Sequence, residues 1–399
     1  MKAPGKHDVS VPETLALAAA GLEAEFTLIV DGRPTRPEDE FGDPRGFIRG
    51  PLMHRVGTSY HLPNGTAVYF DTGVVEVATP AMELARGCMA RAGRSLWESI
   101  ALLRQELDAW QQSTGHLAQL AGFSAHYNTS LGRHERRRLP HARLERLARA
   151  LTYVLPAPVM LLATNRRSTG VGVRPRRHRI EITADFTPDP ALMIAAGSLI
   201  LAVVRDMMTW RSWDRAALER EVPVIRGFTP MKHTSRRGWL ARWDCYPKSP
   251  FACDIDSAEW TTSAGTLSLR EIAFRVFERF RRPIARIADP FSLRLIASIL
   301  GRGGPSLLTL PDRPPAYDDV GHGSVWTGHS SVDTLQRSRY ERALMNAVAG
   351  RPLRLFGRAC TPIRVRGWSV VIFRREGDGL QFAMPIDQLV SRLDEWEGA

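Results

Sequence analysis

Lysine is almost absent from this chain of 399 residues: arginine supplies all but Lys2, Lys6, Lys232 and Lys248 of its 54 basic residues. Cysteine is nearly as scarce: Cys88, Cys245, Cys253 and Cys360, of which only Cys245 and Cys253 lie near one another in sequence. That spacing excludes a disulfide framework and matches no zinc-binding pattern. No uncharged apolar run reaches the ~18 residues of a membrane helix. The nearest, Pro190 to Val204, stops at Arg205 and reads as a buried helix. No apolar signal-peptide core follows Lys2 and Lys6, so a cytoplasmic location is expected. There is no Gly-x4-Gly-Lys-Ser/Thr phosphate loop and no Gly-x-Ser-x-Gly nucleophile turn. Gly301-Arg302-Gly303-Gly304 lacks the lysine and reads as a linker. Repeats and low-complexity tracts are also missing.

What remains is a globular composition, 44% hydrophobic and 24% charged, with a net charge of +12. Arginine-rich codon usage accounts for the lysine deficit. The positive balance itself favours an acidic partner, such as nucleic acid, an acidic protein or nucleotide phosphates.

Carboxylates stand where strands normally carry apolar side chains. Leu22 to Val30 alternates as a strand and ends at Asp31-Gly32, a hairpin-type turn. Glu23 and Glu25 then share one face. They read either as an exposed edge or as oxygen ligands of a hard divalent cation such as Mg²⁺. Val68 to Val77 is a second strand region, in which Tyr69 and Asp71 share a face and Glu76 follows Gly73. Asp71 reads as a general base, as a nucleophile or as the start of a turn. Ala121 to Leu131 is strand-like and places His126 and Asn128 together, suited to a metal or phosphate and to a nucleotide or substrate carboxylate respectively.

Arg174 to Phe186 is the densest basic strand. If regular, it points Arg174, Arg176 and His178 one way, and Arg177, Arg179 and Glu181 the other. Its guanidinium groups suit a phosphoryl group, and Glu181 reads as a metal ligand or an ion-pair partner. No aromatic stacking pattern accompanies it, which weighs against nucleic acid.

Elsewhere the pattern predicts a loop or insertion over 34–65, helices over 80–110, 190–208, 267–281 and 291–300, and a short strand over 159–164. A helix near 334–348 and four short strands then form a β-rich C-terminal unit, closed by a helix over 386–396. Strands and helices do not alternate, which predicts an α+β fold.

Gly21-Leu22-Glu23-Ala24-Glu25-Phe26, Asn64 to Pro80, His126-Tyr127-Asn128 and Arg179-Ile180-Glu181 occur in an order that resembles the glutamine synthetase and glutamate–cysteine ligase superfamily. Within it they are most similar to the Pup ligase and Pup deamidase/depupylase branch. The resemblance is clear over about residues 20 to 205. It departs where Val74-Val75 replaces the family's His-Pro, with one residue fewer between Asp71 and Glu76, and where Ala81 replaces a glutamate.

The resemblance implies a glutamine-synthetase-like curved antiparallel β-sheet cradle with helices on its outer face and a small C-terminal domain. It divides the chain into a leader (1–20), a catalytic domain (21–316) and a C-terminal domain (317–399). It implies ATP and Mg²⁺. Glu23, Glu25, Tyr69, Glu76, His126 and Glu181 would hold the metal, Arg174, Arg176, Arg179 and Asn128 would contact the nucleotide, and Asp71 would be catalytic.

The activity implied is carboxylate–amine ligation through an acyl phosphate, joining an amino acid, peptide or protein tag to an amine. The alternatives are depupylase-like amide hydrolysis on the same cradle, and a non-catalytic basic scaffold.

Overall fold

The computed structural model describes residues 15–233, 238–301, 303–322 and 337–398. Its centre is a twelve-stranded antiparallel sheet. In chain order the strands are β1 (Ala19–Val30), β2 (Arg33–Thr35), β3 (Met53–Val56), β4 (Ser59–His61), β5 (Ala67–Asp71), β6 (Val74–Ala78), β7 (Met82–Glu83), β8 (Ala118–Ser130), β9 (Gly170–Arg176), β10 (Arg179–Asp185), β11 (Met231–Lys232) and β12 (Trp239–Arg242). They lie side by side as β11-β12-β9-β10-β8-β1-β6-β5-β4-β3, with β2 and β7 both paired to β1.

The alternation along β1 decides which face is core. Leu22, Ala24, Phe26 and Leu28 are all but inaccessible, while Glu23 and Glu25 stand on the other face. The apolar face is covered by the helices Cys88–Thr114 and Pro190–Met207, which pack on β1 and β8. Two further helices, His141–Val154 and Pro156–Ala163, cover β9. The sheet thus has helices on one face and carboxylates on the other, the α+β arrangement expected.

Pro190–Met207 is long and apolar enough to cross a membrane, but 72% of it is buried inside the protein. It contacts the helices Leu269–Ile287, Pro290–Gly301, Pro156–Ala163 and Cys88–Thr114. Asp189 caps its first turn, its side chain accepting from the Ala191 and Leu192 amides.

Several local expectations are corrected. Residues 159–164 are not a strand; 159–163 belong to the helix Pro156–Ala163, and Thr164 follows as its C-cap. Prolines at 156 and 158 suit a first helical turn. Every residue of this helix is buried, so its sequence carries no helical periodicity. The region 34–65 is not a bare loop but holds the short helix Pro37–Phe41 and strands β3 and β4. Val68 to Val77 is a hairpin, turning at Thr72 (φ 52°) and Gly73 (φ 96°). The shortened spacing between Asp71 and Glu76 is this two-residue turn. The Gly73 amide donates to Glu38 Oε1 at 2.9 Å, tying the turn to the 37–41 helix.

Arg174 to Phe186 is likewise a hairpin, folded at Arg177-His178, so that Arg176 faces Arg179 and Arg174 faces Glu181 across the strands. The four side chains, expected on opposite faces, therefore share one.

The C-terminal residues form a second, four-stranded sheet: Leu353–Leu355, Arg358–Arg366, Val370–Arg375 and Gln381–Pro385. The helix Arg339–Val348 packs on it, and the expected terminal helix is two short ones, Ile386–Val390 and Leu393–Glu397. This unit has its own core, including Tyr340, Leu344, Phe373 and Trp396. It is stitched to the helix Cys88–Thr114 by Glu341, which is fully buried and accepts from Ser95 Oγ at 2.8 Å, and also from Arg337 Nη1 at 2.7 Å. The helix expected near 334–348 is described from Arg339 on; residues 1–14 of the expected leader and 323–336 lie outside the described residues.

Candidate active site

Strand register assembles the site. Glu25 of β1 lies between Glu76 of β6 and Ser124 of β8, and Glu76 in turn lies opposite Tyr69 of β5. One step along, Glu23 lies opposite His126. A further step brings Asn128 opposite both Gly21 and Glu181. Five strands thereby deliver polar side chains to one face as a consequence of period two alone. A β-bulge beside Glu25 leaves Phe123 looped out and exposed.

The acidic end is closely knit. Glu23, Glu76 and His126 each offer a ligand atom, and these atoms lie within 4.8 Å of one another. His126 Nδ1 is 3.1 Å from Glu23 Oε2, and its Nε2 is 3.5 Å from Glu25 Oε1. Ser124 Oγ donates to Glu25 Oε2 and Tyr69 Oη donates to Glu76 Oε1, both at 2.5 Å.

Burial and the neighbouring Glu23 carboxylate push Glu76 up to about 8. Glu23 moves the other way: burial would raise it, but the His126 hydrogen bond and the Arg179 charge hold it down. For His126, burial favours the neutral ring, and Glu23 and Glu25 outweigh it, raising its pKa. A buried carboxyl kept protonated by its neighbours marks a place where positive charge is missing. A divalent cation among these oxygens would relieve it, so the donor set fits a cation of the Mg²⁺ kind.

The basic end is built on Glu181. Arg174 Nε lies 2.5 Å from Glu181 Oε1, Arg176 donates to both its oxygens at 2.9 Å, and Arg179 Nη2 donates to Oε2 at 3.3 Å. Burial would raise Glu181, but Arg176 and Arg174 hold it at about 2. Of its two readings, the geometry gives the ion-pair partner: Glu181 sits outside the acidic donor cluster and anchors the arginines. Arg174 Nη2, 3.2 Å from His126 Nε2, connects the two ends.

A cavity of about 700 Å³ runs along this face. Glu23 and Tyr69 line one end and Arg176 and Arg179 the other, with Asn128 between them. Among the described residues the buried Oδ1 of Asn128 has no hydrogen-bond partner, so it can accept from a ligand. Asp71 is half-buried at the end of β5 beside the turn, pairing across with Val74.

Arg55 and Trp368 were not anticipated from the sequence. Arg55 lies over the Trp368 ring at 4.8 Å, and both line the cavity with Gly367 and Ser369. His61 Nε2, 3.2 Å from the Gly367 carbonyl oxygen, holds that turn against the main sheet. They come from opposite ends of the chain, and no local pattern links them.

An antiparallel sheet with a polar, carboxylate-bearing face and a small second unit closing one side is an architecture found among solved structures. The particular fold is that of the Pup ligase. The chain is similar to the Pup ligase PafA solved in complex with the prokaryotic ubiquitin-like protein Pup, at 12% identity and a TM-score of 0.58, over 95% of this chain and 93% of that one. It is also similar to PafA in complex with ADP, at 12% identity and a TM-score of 0.46, over 85% and 90%. No protein-family model matches the chain, and no curated protein matches it by sequence.

Proposed function

We propose that the chain is an ATP- and Mg²⁺-dependent carboxylate–amine ligase, making an amide or isopeptide bond. The observation that carries this reading is the charge layout of the sheet's polar face, with a cation-deficient carboxylate cluster at one end, an arginine cluster at the other, and Glu23, Arg176 and Arg179 lining the cavity between. A metal-bound triphosphate is the ligand that needs both at once.

Glu23, Glu76 and His126 would hold the cation, with Glu25 and Tyr69 behind them orienting His126 and Glu76. The cation would neutralise the phosphate oxygens as a substrate carboxylate is phosphorylated to an acyl phosphate. Arg176 and Arg179 would bind phosphate oxygens, Glu181 fixing where their guanidinium groups point. Asn128 would accept a hydrogen bond from the nucleotide or substrate through its Oδ1. Asp71 would take the proton from the incoming amine as it attacks the activated carboxyl. The carboxylate substrate would be an amino acid, peptide or protein tag, and the positive surface favours an acidic protein as its bearer.

The test is phosphate and ADP release from ATP, measured with candidate carboxylate and amine substrates. The proposal expects ADP formation that requires the amine and falls by ~10²-fold or more in Asp71→Asn. Amide hydrolysis without net ATP consumption would instead favour the amidase reading. Polyanion binding that survives Glu23→Ala and Asp71→Ala, with no turnover, would favour a scaffold.

A further inference from the structure

Away from the cradle, the outer face of the helix His141–Val154 meets the segment 211–218 around a second cavity of about 570 Å³. Arg143, Arg146 and Arg149 follow one another at three-residue spacing along one wall, and Arg211 and Arg215 form the other. Each step along the helix rises about 4.5 Å. The ring of Trp213 lies under Arg143, 5.1 Å from the guanidinium carbon, and that of Tyr153 under Arg215 at 5.9 Å.

Some arginines elsewhere are paired with carboxylates, as Arg205 is with Glu135 and Arg270 with Asp256, and others, such as Arg166, donate to backbone carbonyls. Here only Arg215 is paired with a carboxylate, Glu219 at 2.7 Å. Among the described residues, no carboxylate lies within ion-pair distance of Arg143, Arg146, Arg149 or Arg211. Asp214, the one acid lining the cavity, is turned to the Ala217 amide and the Ser212 hydroxyl. Like charges facing one another across a hollow repel unless an anion lies between them.

We propose that this cavity binds the polyphosphate group of a small molecule, at a site separate from the cradle. Guanidinium forks match phosphate oxygens bidentately, and several phosphates in a row satisfy arginines on both walls. The hollow is open to solvent and its arginines are exposed, yet its concave shape and volume suit a compact anion better than a protein surface or a duplex, which need wide, shallow contact. The aromatic faces already carry guanidinium groups, which disfavours nucleic-acid recognition by base stacking. The proposal does not depend on the ligase reading.

The test is calorimetric titration of the full chain with inorganic tripolyphosphate at ~0.15 M salt, where exposed charges are screened beyond about 8 Å. The wild type, the double variant Arg146→Gln/Arg211→Gln and the cradle variant Arg176→Ala are compared. All three positions changed are at least partly exposed, and circular dichroism checks the fold. We expect saturable binding by the wild type, a binding event that persists in Arg176→Ala, and at least a tenfold loss of that event in the double variant.

No binding by the wild type overturns the proposal, as does a loss confined to Arg176→Ala. So does equal affinity for a glutamate oligomer of matched charge, or tighter binding of a single-stranded oligonucleotide. Magnesium-free ATP separates the two sources of phosphate. Binding equal to tripolyphosphate supports recognition of phosphate alone. Tighter binding of ATP than of tripolyphosphate supports a nucleotide as its bearer.

Discussion

Glu76 is a buried carboxyl that desolvation and the Glu23 carboxylate keep protonated up to about pH 8. In an unfolded chain it would ionise near 4.5. Its contribution therefore favours the fold at low pH and is lost as pH rises towards 8, where ionising it costs about a kilocalorie per mole or more. Glu76→Gln removes that cost. Without divalent cations, the variant should melt higher than the wild type at pH 9 and close to it at pH 5. Parallel pH profiles of melting temperature would contradict this.

Glu181 has the opposite sign. Held at about 2 by Arg176 and Arg174, it stabilises the fold above pH ~4.5 and loses that contribution as pH falls towards 2. Glu181→Ala leaves guanidinium groups without their shared partner and should cost about 3–5 kcal/mol in denaturant unfolding. A loss below 1 kcal/mol would mean the arginines find other partners.

Single elements show how much the sequence could reveal. β1 was legible because its alternation is strict: Leu22, Ala24, Phe26 and Leu28 go inward, and Glu23 and Glu25 outward. The two hairpins were not. Val68 to Val77 and Arg174 to Phe186 each look like one strand until the chain turns. Thr72-Gly73 is a recognisable turn pair, but Arg177-His178 has no glycine, proline or asparagine to mark it. Because of that turn, the sequence could name the arginines while placing Arg179 on the wrong face.

Gly73 adopts a φ of 96° that other residues reach only under strain. Gly73→Val should cost about 1–3 kcal/mol. Because Asp71 sits beside this turn, the variant should also lower turnover more than it lowers ATP affinity. Equal losses of both would argue against a catalytic place for Asp71.

On the scale of the whole molecule, the cavity is completed by the second unit. Trp368 is 299–345 residues in sequence from Glu23, Arg55 and Tyr69, and reaches them only because His61 and Glu341 fix the two units together. Such contacts between distant parts of the chain leave no local signature, which is why Arg55 and Trp368 went unanticipated while Glu23, Glu76 and His126 did not. Trp368→Ala should weaken ATP binding about tenfold through loss of the ring beside Arg55, with the fold intact. Unchanged affinity would place the nucleotide away from that wall.

The central claim is that the carboxylate cluster and the arginine cluster together form a site for ATP and Mg²⁺. The most direct measurement is calorimetric titration of the purified chain with ATP plus Mg²⁺, beside Glu23→Ala and Glu76→Ala. The account predicts binding by the wild type that either substitution abolishes while circular dichroism stays unchanged. Absence of ATP binding by the wild type, or binding that both variants retain, would contradict it.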